Sequence, residues 1–247
     1  MFLKKLLSTI CICVCAFFAT PANAERLVIY AEDAKPYAYF QDDKVSSPIT
    51  EFVRTLVERA GYDPEIRLLS WAGIMHTAEA QQAVIFYPLA RTNERENKYH
   101  WLGTLLHYEK YNFYKLKNRR DIQLKKLEDA KKFRIGVIES DLREDYLIEN
   151  GFAFNPHSGL IQINNNTDGM RLLLVNRIDL LPLSVTSFTS ECAAHCSDYE
   201  MAFTLNIRIN LELAANKATP PEIIQRIRRA YESLENDGTR ARMLDKE

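Results

Sequence analysis

Apolar and polar residues follow two periods along this chain, and these periods predict a repeating order of strands and helices. Short runs rich in β-branched and aromatic residues predict buried strands, and apolar residues spaced three and four apart predict amphipathic helices. In the first half the predicted strands lie at 26–30, 65–69 and 83–86, and the predicted helices at 48–60 and 71–80. Strands that alternate with helices in this way favour right-handed crossovers and a parallel sheet.

The same order restarts after a charged stretch. The predicted strands of this second unit lie at 108–117, 133–138, 159–163, 178–183 and 201–213, and the predicted helices at 124–131, 141–150, 167–176 and from 220 onward. We therefore predict an α/β fold of two lobes, each a mostly parallel sheet flanked by helices, with a cleft between the lobes. Residues 25–113 and 204–247 are expected to form lobe 1, and residues 114–203 to form lobe 2.

Residues 1–24 have the pattern of a cleavable export signal. Lys4 and Lys5 precede a short apolar run, and the segment ends in the small-residue pattern Ala22-Asn23-Ala24. The run is short for a membrane span, and no later run replaces it. A lipidation site at Cys15 is the alternative, but Val14 is a poor small residue to precede it. We expect an exported chain that begins at Glu25.

The charge balance excludes some classes of partner. The 247 residues carry 32 basic and 33 acidic side chains, and the two lysines of the signal leave 30 against 33, a net charge of −3. No basic excess therefore argues for binding to nucleic acid or to an anionic membrane surface. Low glycine content, with 8 glycines, argues against a fibrous or disordered chain.

Two cysteines remain after the signal, Cys192 and Cys196. In an oxidising compartment a local disulfide is the expected state of such a pair. A metal site that uses both thiols and His195 is the alternative.

The segment after the predicted strand at 83–86 carries the first candidate chemistry. Thr92 has the chemistry of a helix N-cap, so this segment predicts a strand, a short loop and a helix start. Arg91 and Arg95 lie on this corner, at the carboxyl end of a strand, where α/β proteins bind ligands. A planar guanidinium suits a carboxylate or a phosphate. The alternative is that these arginines are solvated or paired with a neighbouring glutamate such as Glu96.

Several short motifs occur in a characteristic order along the chain. They are Pro36-Tyr37, Trp71, Thr92-Asn93-Glu94-Arg95, Arg134-Ile135-Gly136-Val137, Arg177-Ile178-Asp179 and Ala218-Thr219-Pro220. In this order the chain resembles the bacterial periplasmic solute-binding proteins of the polar amino-acid uptake class, which have the type II two-lobed fold. The resemblance covers almost all of the mature chain and depends on the order and spacing of the motifs together. It implies a periplasmic monomer without cofactor that closes by a hinge on a small polar, carboxylate-bearing ligand and delivers it to an ABC permease.

The resemblance also implies residues of the ligand site. Arg95 matches the arginine that binds the ligand carboxylate, and Tyr87 and Leu89 precede it in the segment that lines the same mouth. Tyr37 and Trp71 match positions of aromatic walls, with core packing as an equal alternative for Trp71.

Other positions depart from the pattern of that class. Ser184 stands where amino-acid binders place the aspartate that holds the ligand ammonium group. Glu139-Ser140-Asp141 replaces small hydrogen-bond donors after the second-lobe strand, so Glu139 or Asp141 is expected to receive an amine instead. These departures favour an unusual ligand, because a buried charge needs a partner.

Two other functions compete with transport. A sensor that presents its closed form to a membrane receptor uses the same cleft, so sequence does not separate it from a transport protein. A dehydratase-like enzyme of this fold is the second alternative, with Glu139, Asp141 or a histidine as acid or base. No nucleophile motif, phosphate loop or spaced metal set occurs in the sequence, and we therefore predict no catalytic residue and no metal.

Overall fold

The computed structural model describes residues 24–80 and 83–245, so the predicted export signal lies outside the described residues except for Ala24. The strands are β1 Glu25–Glu32, β2 Tyr39–Gln41, β3 Lys44–Ser46, β4 Tyr62–Leu69, β5 Ile85–Ala90, β6 Tyr99–Leu116, β7 Arg134–Ile138, β8 Gly159–Ile163, β9 Leu181–Ser184 and β10 Tyr199–Asn216. The helices are α1 Pro48–Arg59, α2 Trp71–Ala80, α3 Leu142–Glu149, α4 Asn166–Leu174, α5 Val185–Cys192, α6 Pro221–Asn236 and α7 Thr239–Leu244, with short 3₁₀ helices at Leu127–Lys132 and Ala193–Asp198.

The largest sheet is mixed. Its strand order is β4-β1-β5-β10-β6-β9, in which β4, β1 and β5 are parallel, while β10 pairs antiparallel with β5 and β6. The parallel part follows the βαβ order that the hydrophobic periodicity predicts. The antiparallel strand β10 returns from the second half of the chain and closes this part of the sheet.

Helix α1 shows why these residues form a helix at this place. Ser47 caps it by accepting a hydrogen bond from the Thr50 amide at 2.9 Å, and Pro48 lies in its first turn, where no amide hydrogen is needed. Phe52 and Leu56 on its apolar stripe are fully buried. Full burial of such side chains contributes about 1.5–3 kcal/mol each.

The C-terminal helix α6 packs back on the first half of the chain. The Tyr231 ring occupies the space that a Cβ atom at Gly103 would need, so the absence of a side chain there lets α6 approach β6. The Tyr231 hydroxyl donates to the Thr104 carbonyl at 2.9 Å. An edge contact between the rings of Phe52 and Tyr231, 6.2 Å apart, joins α6 to α1.

The second α/β unit is built on β7 and β8, which pair in parallel, and an isolated bridge joins Ile135 of β7 to Leu180. Two long antiparallel strands, β6 and β10, connect this unit to the first. Their register shifts between Thr204 and Arg208, opposite Asn112 and Lys110, and this shift interrupts the ladder in its middle. The predicted lobe boundaries cross the same two strands, and the division into lobes stays a prediction.

The predicted helix start after β5 is wrong. The strand predicted at 83–86 continues to Ala90, and residues 91–98 form turns that lead directly into β6. The Thr92 hydroxyl accepts from the Arg95 amide at 3.2 Å, as in a helix cap, but the Lys98 amide then bonds to the Arg95 carbonyl and the chain enters the sheet. The β2–β3 hairpin and α5 are further elements that the periodicity did not predict.

Candidate functional site

A small, partly open cavity of about 50 Å³ lies where the ends of β1 and β5 face the starts of α3 and α5. Side chains from both halves of the chain contribute to its wall. The polar and aromatic residues that line it are Glu32, Tyr37, Trp71, Arg95, Tyr111, Asp141, Arg143, Asn166 and Ser187. The site therefore brings together two arginines and two carboxylates from three separate segments of the chain, Glu32, Arg95 and Asp141 with Arg143.

Arg95 links the two halves of the chain. Only 7% of this residue is exposed, and its Nη2 atom donates to the Ser140 carbonyl at 2.8 Å. The same nitrogen lies 3.6 Å from the Asp145 carboxylate, and the guanidinium stacks 5.3 Å from the Trp71 ring. Trp71 donates from Nε1 to the same Ser140 carbonyl at 3.2 Å. Ser140 has a φ of 57°, in the left-handed region, and its carbonyl accepts from both side chains.

Tyr37 forms a second link across the site. Its hydroxyl lies 2.8 Å from the Ser184 Oγ atom, and the Ser187 hydroxyl donates to it at 3.2 Å. The Ser187 amide in turn donates to the Ser184 Oγ atom at 2.9 Å. Ser184 is fully buried, so this predicted ligand residue is a neutral hydroxyl that contacts the Tyr37 hydroxyl and the Ser187 amide.

Asp141 and Arg143 form a buried ion pair. The Arg143 Nε and Nη2 atoms donate to the two Asp141 carboxylate oxygens at 2.6 and 3.0 Å. Its Nη1 atom donates to the Asn166 side chain at 2.9 Å and to the Pro182 carbonyl at 3.0 Å. Burial acts to raise the pKa of Asp141, but the Arg143 guanidinium outweighs burial and holds this pKa below its ordinary value.

Glu32 is the one carboxylate of this wall that makes no hydrogen bond or salt bridge within residues 24–80 and 83–245. It lies at the carboxyl end of β1, beside the Asp141–Arg143 pair and Arg95. Burial, followed by repulsion from Asp141, raises the pKa of Glu32 to about 7. At neutral pH the site therefore contains a carboxylate that a cationic group would stabilise.

The structure brings six of the nine predicted ligand residues to this site, namely Arg95, Tyr37, Trp71, Ser140, Asp141 and Ser184. Tyr87 and Leu89 lie elsewhere, because both faces of β5 are covered and both side chains are fully buried in the core. The Tyr87 hydroxyl donates to Thr50 at 2.9 Å. Glu139 is exposed and does not line the cavity.

Sequence reasoning missed Glu32 and Arg143. Glu32 carried one usable signal, since it ends a parallel strand, at the edge where α/β sheets bind ligands. Arg143 carried none, because it appears in the sequence as an ordinary residue in the first turn of a helix.

A wider groove of about 360 Å³ adjoins the cavity, and Leu142 lines both. Its other walls are residues 91–94, the face of α3 that carries Asp145, Tyr146 and Glu149, and residues 206–209 of β10. This groove therefore lies beside the Arg95–Asp145 contact.

Cys192 and Cys196 lie within bonding distance of each other at the end of α5, as a disulfide requires. Within the described ranges no three histidine, cysteine or acidic side chains come together in a way that could hold a metal ion. Residues 24–80 and 83–245 likewise include no helix of the length and apolar character that a membrane span needs.

Comparison with known proteins identifies the class of fold. No protein-family profile and no curated protein match the sequence. Solved structures do match the fold. A histidine kinase sensor domain with similarity to periplasmic binding proteins aligns with a TM-score of 0.77 at 15% identity, over 90% of this chain and 95% of its own.

Amino-acid-binding proteins align equally well. An ancestral arginine-binding protein bound to arginine gives a TM-score of 0.76 at 15% identity, over 90% of this chain and 98% of its own. The arginine-, lysine- and histidine-binding protein ArtJ from Geobacillus stearothermophilus gives 0.75 at 15% identity, over 89% and 93%. The chain therefore has the type II periplasmic-binding-protein fold, and the predicted fold class is confirmed.

Proposed function

We propose that this chain is a periplasmic binding protein for a small zwitterionic ligand of the amino-acid type. The observation that carries the proposal is that Arg95 and Glu32 line one cavity that has aromatic walls. Arg95 is suited to the ligand carboxylate, because a charge-assisted hydrogen bond contributes about 1.5–3 kcal/mol. Glu32 is suited to the ligand ammonium group, since it is the carboxylate of the cavity wall without a hydrogen bond or salt bridge in the described part of the chain.

Asp141 takes a different role in this proposal. Its two oxygens are occupied by Arg143, so it supplies a fixed buried ion pair and does not bind the ligand amine directly. Ser184 and Ser187 hold the Tyr37 hydroxyl and so orient one aromatic wall. In this proposal the ligand carboxylate meets Arg95 and the ligand ammonium group meets Glu32.

Ligand capture requires the site to open. The cavity of about 50 Å³ has room for only a few water molecules, so an amino acid does not fit without movement. Opening breaks the bonds that Arg95 and Trp71 make to the Ser140 carbonyl. A ligand carboxylate on Arg95 replaces part of this network, and ligand contacts that exist only after reclosure shift the population toward the closed form. The hinge is proposed where β6 and β10 cross between the two units.

Delivery to an ABC permease in the inner membrane is the proposed use of the closed form. Presentation to a membrane receptor is the second candidate, and it is favoured by the similarity to a histidine kinase sensor domain. We propose binding without catalysis, because three of the four charged groups in the cavity wall are already engaged in hydrogen bonds with the chain itself.

Thermal unfolding against a panel of amino acids, amines, dicarboxylates and small peptides tests the proposal. A ligand at 100 times its Kd stabilises the fold by about 2.7 kcal/mol, or several degrees in a chain of this size. The shift should disappear in Arg95→Ala and Glu32→Gln. Arg91→Ala is the matched control, because Arg91 lies on the same turn but is half-exposed and paired with Glu96 at 2.6 Å.

Two results would overturn the proposal. The first is a panel in which no compound shifts the unfolding of the wild type. The second is an equal loss in Arg91→Ala and Arg95→Ala, which would place binding outside the cavity.

A further inference from the structure

A basic face lies on the second unit, where β6 ends and β10 begins. Two shallow surface concavities, of about 720 and 500 Å³, meet there and share Arg120. Lys117 lines the first and Lys125 the second, and the exposed Lys126 follows directly in the chain. We call Lys117, Arg120, Lys125 and Lys126, with the apolar residues beside them, the basic face.

The four cations of the basic face form no salt bridge with any carboxylate in residues 24–80 and 83–245. Four acidic side chains near them contact other groups, whereas Glu128, which follows Lys126 by two residues, is exposed. Asp121 binds Arg119 at 2.7 Å, Glu200 binds Lys115 at 2.6 Å, and Asp198 lies 3.3 Å from His195. The Asp129 carboxylate accepts the backbone amides of Lys125 and Lys126 at 2.9 and 3.1 Å. Asp129 still attracts Lys126, and Glu200 attracts Lys117, without forming a salt bridge, so the four side chains carry positive charge to solvent that is only partly balanced.

Large apolar side chains are exposed on the same face. Leu174, which is 43% exposed, lines the first concavity, and Met201, which is 57% exposed, lines the second. Val175 follows Leu174 and is 59% exposed. Cations without partners beside protruding apolar side chains are typical of protein surfaces that rest on a lipid headgroup layer, where lysine and arginine contact phosphates and the apolar side chains enter the interface.

We propose that the basic face binds the anionic headgroups of a lipid bilayer. The cations are spread over a shallow surface and do not converge on a pocket, so they suit a layer of many phosphates better than one buried acidic side chain of a protein. The net charge of −1 over the 247 residues does not oppose this binding, because electrostatic attraction acts over about 8 Å at physiological salt and therefore depends on the local surface. Each lysine or arginine near an anionic surface contributes about five-fold to the partition coefficient.

Vesicle cosedimentation tests the proposal with the exported chain recovered from the periplasm after removal of its leader. Vesicles of equal parts phosphatidylglycerol and phosphatidylcholine are compared with vesicles of phosphatidylcholine alone, at low and at physiological salt. We expect binding to the anionic vesicles only, with a partition coefficient that falls as salt rises. Replacement of Lys117, Arg120, Lys125 and Lys126 by glutamine should lower it at least ten-fold.

A second quadruple variant controls for overall charge. It replaces the exposed Arg26, Lys44, Lys217 and Arg229 by glutamine, which changes the net charge equally on other surfaces. Its binding should remain close to that of the wild type, and Met201→Gln should weaken the binding that persists at physiological salt.

The proposal is overturned if the wild type ignores anionic vesicles, or if both quadruple variants lose binding equally. It is also overturned if the basic face captures soluble polyglutamate but no vesicles, since the face would then belong to an acidic protein partner.

Discussion

Replacement of Arg143 by methionine should destabilise the fold strongly, although Arg143 looks like an ordinary helix residue in the sequence. Its guanidinium donates to both oxygens of Asp141, to Asn166 and to the Pro182 carbonyl, and only 7% of the residue is exposed. The substitution keeps most of the side-chain volume and removes the charge. It therefore leaves the Asp141 carboxylate buried without its main partner.

The expected loss of folding stability follows from the unpaired Asp141 carboxylate. Removal of one member of a buried ion pair costs about 3–5 kcal/mol, because the other charge stays desolvated. In a chain of this length each kcal/mol lowers Tm by about 2–4 °C, so the melting temperature should fall by roughly 6–20 °C.

The pH dependence of the stability loss gives a sharper test than the magnitude of the loss at one pH. In the wild type Arg143 outweighs burial and holds the pKa of Asp141 below its value in the unfolded chain, so this contribution is present at neutral pH and is lost as the pH falls through the folded pKa. In Arg143→Met burial is left with less opposition, and it raises the pKa of Asp141. The deficit of the variant should therefore shrink from pH 8 to pH 5, as the carboxyl group becomes neutral.

Urea unfolding of the wild type, Arg143→Met, Asp141→Asn and the double variant at pH 5 and pH 8 measures these effects. The double variant should recover much of the stability that Arg143→Met loses at pH 8, because no charge is then left buried without a partner. A double variant that is as unstable as Arg143→Met, together with a deficit that does not change with pH, would refute the assignment of an ion pair at this place.

Three further variants test single contacts. Glu32→Gln should raise the free energy of unfolding by up to about 3 kcal/mol at pH 8 and by about 1 kcal/mol at pH 5, because the folded pKa of about 7 lies above the unfolded value of about 4.3 and the wild type loses stability as pH rises between them. Urea titrations at pH 5 and pH 8 measure the difference. Trp71→Phe removes the bond to the Ser140 carbonyl and should lower stability by about 1 kcal/mol and increase the radius of gyration of the ligand-free protein in solution scattering, because the closed form loses a contact. Gly103→Ala places a methyl group against the Tyr231 ring and should cost about 1–3 kcal/mol in thermal unfolding, and no loss would mean that α6 can move away freely.

Much of the fold was predictable because it depends on local periodicity. The α1 helix is predictable from its cap, its first-turn proline and its apolar stripe, all within thirteen residues. The segment after β5 was not predictable in this way. Thr92 does accept the Arg95 amide as a helix cap does, but pairing of β6 with β10, far away in sequence, draws the chain into a strand.

The residues of the candidate site likewise differ in whether the local sequence could predict them. Arg95, Tyr37 and Trp71 were predicted because short motifs mark them. Glu32 matters through Arg95, Asp141 and Arg143, which are far away in sequence. Arg143 pairs with the nearby Asp141, but its burial and its bonds to Asn166 and the Pro182 carbonyl depend on the tertiary fold. Tyr87 was expected at the site but lies away from the cavity, for the opposite reason. Its neighbourhood in sequence placed it beside Arg95, but residues of β5 alternate between two covered faces, and its hydroxyl ends at Thr50 inside the core.

The charges of the cavity wall restrict the ligand, if the proposed binding function holds. Arg143 and Asp141 neutralise each other, which leaves Arg95 and Glu32, and Glu32 changes its charge near pH 7. A zwitterion satisfies both groups when Glu32 is ionised, so its affinity should rise as pH increases from 6 to 8. A monocarboxylate without the amine binds best when Glu32 is protonated, so its affinity should fall over the same range.

Calorimetric titration of one amino acid and its deaminated analogue at several pH values separates these cases, and Glu32→Gln should flatten both profiles. Parallel profiles for the two ligands would show that the amine does not meet Glu32. The cavity would then recognise only the ligand carboxylate, and the ammonium group of an amino acid would have no partner in it.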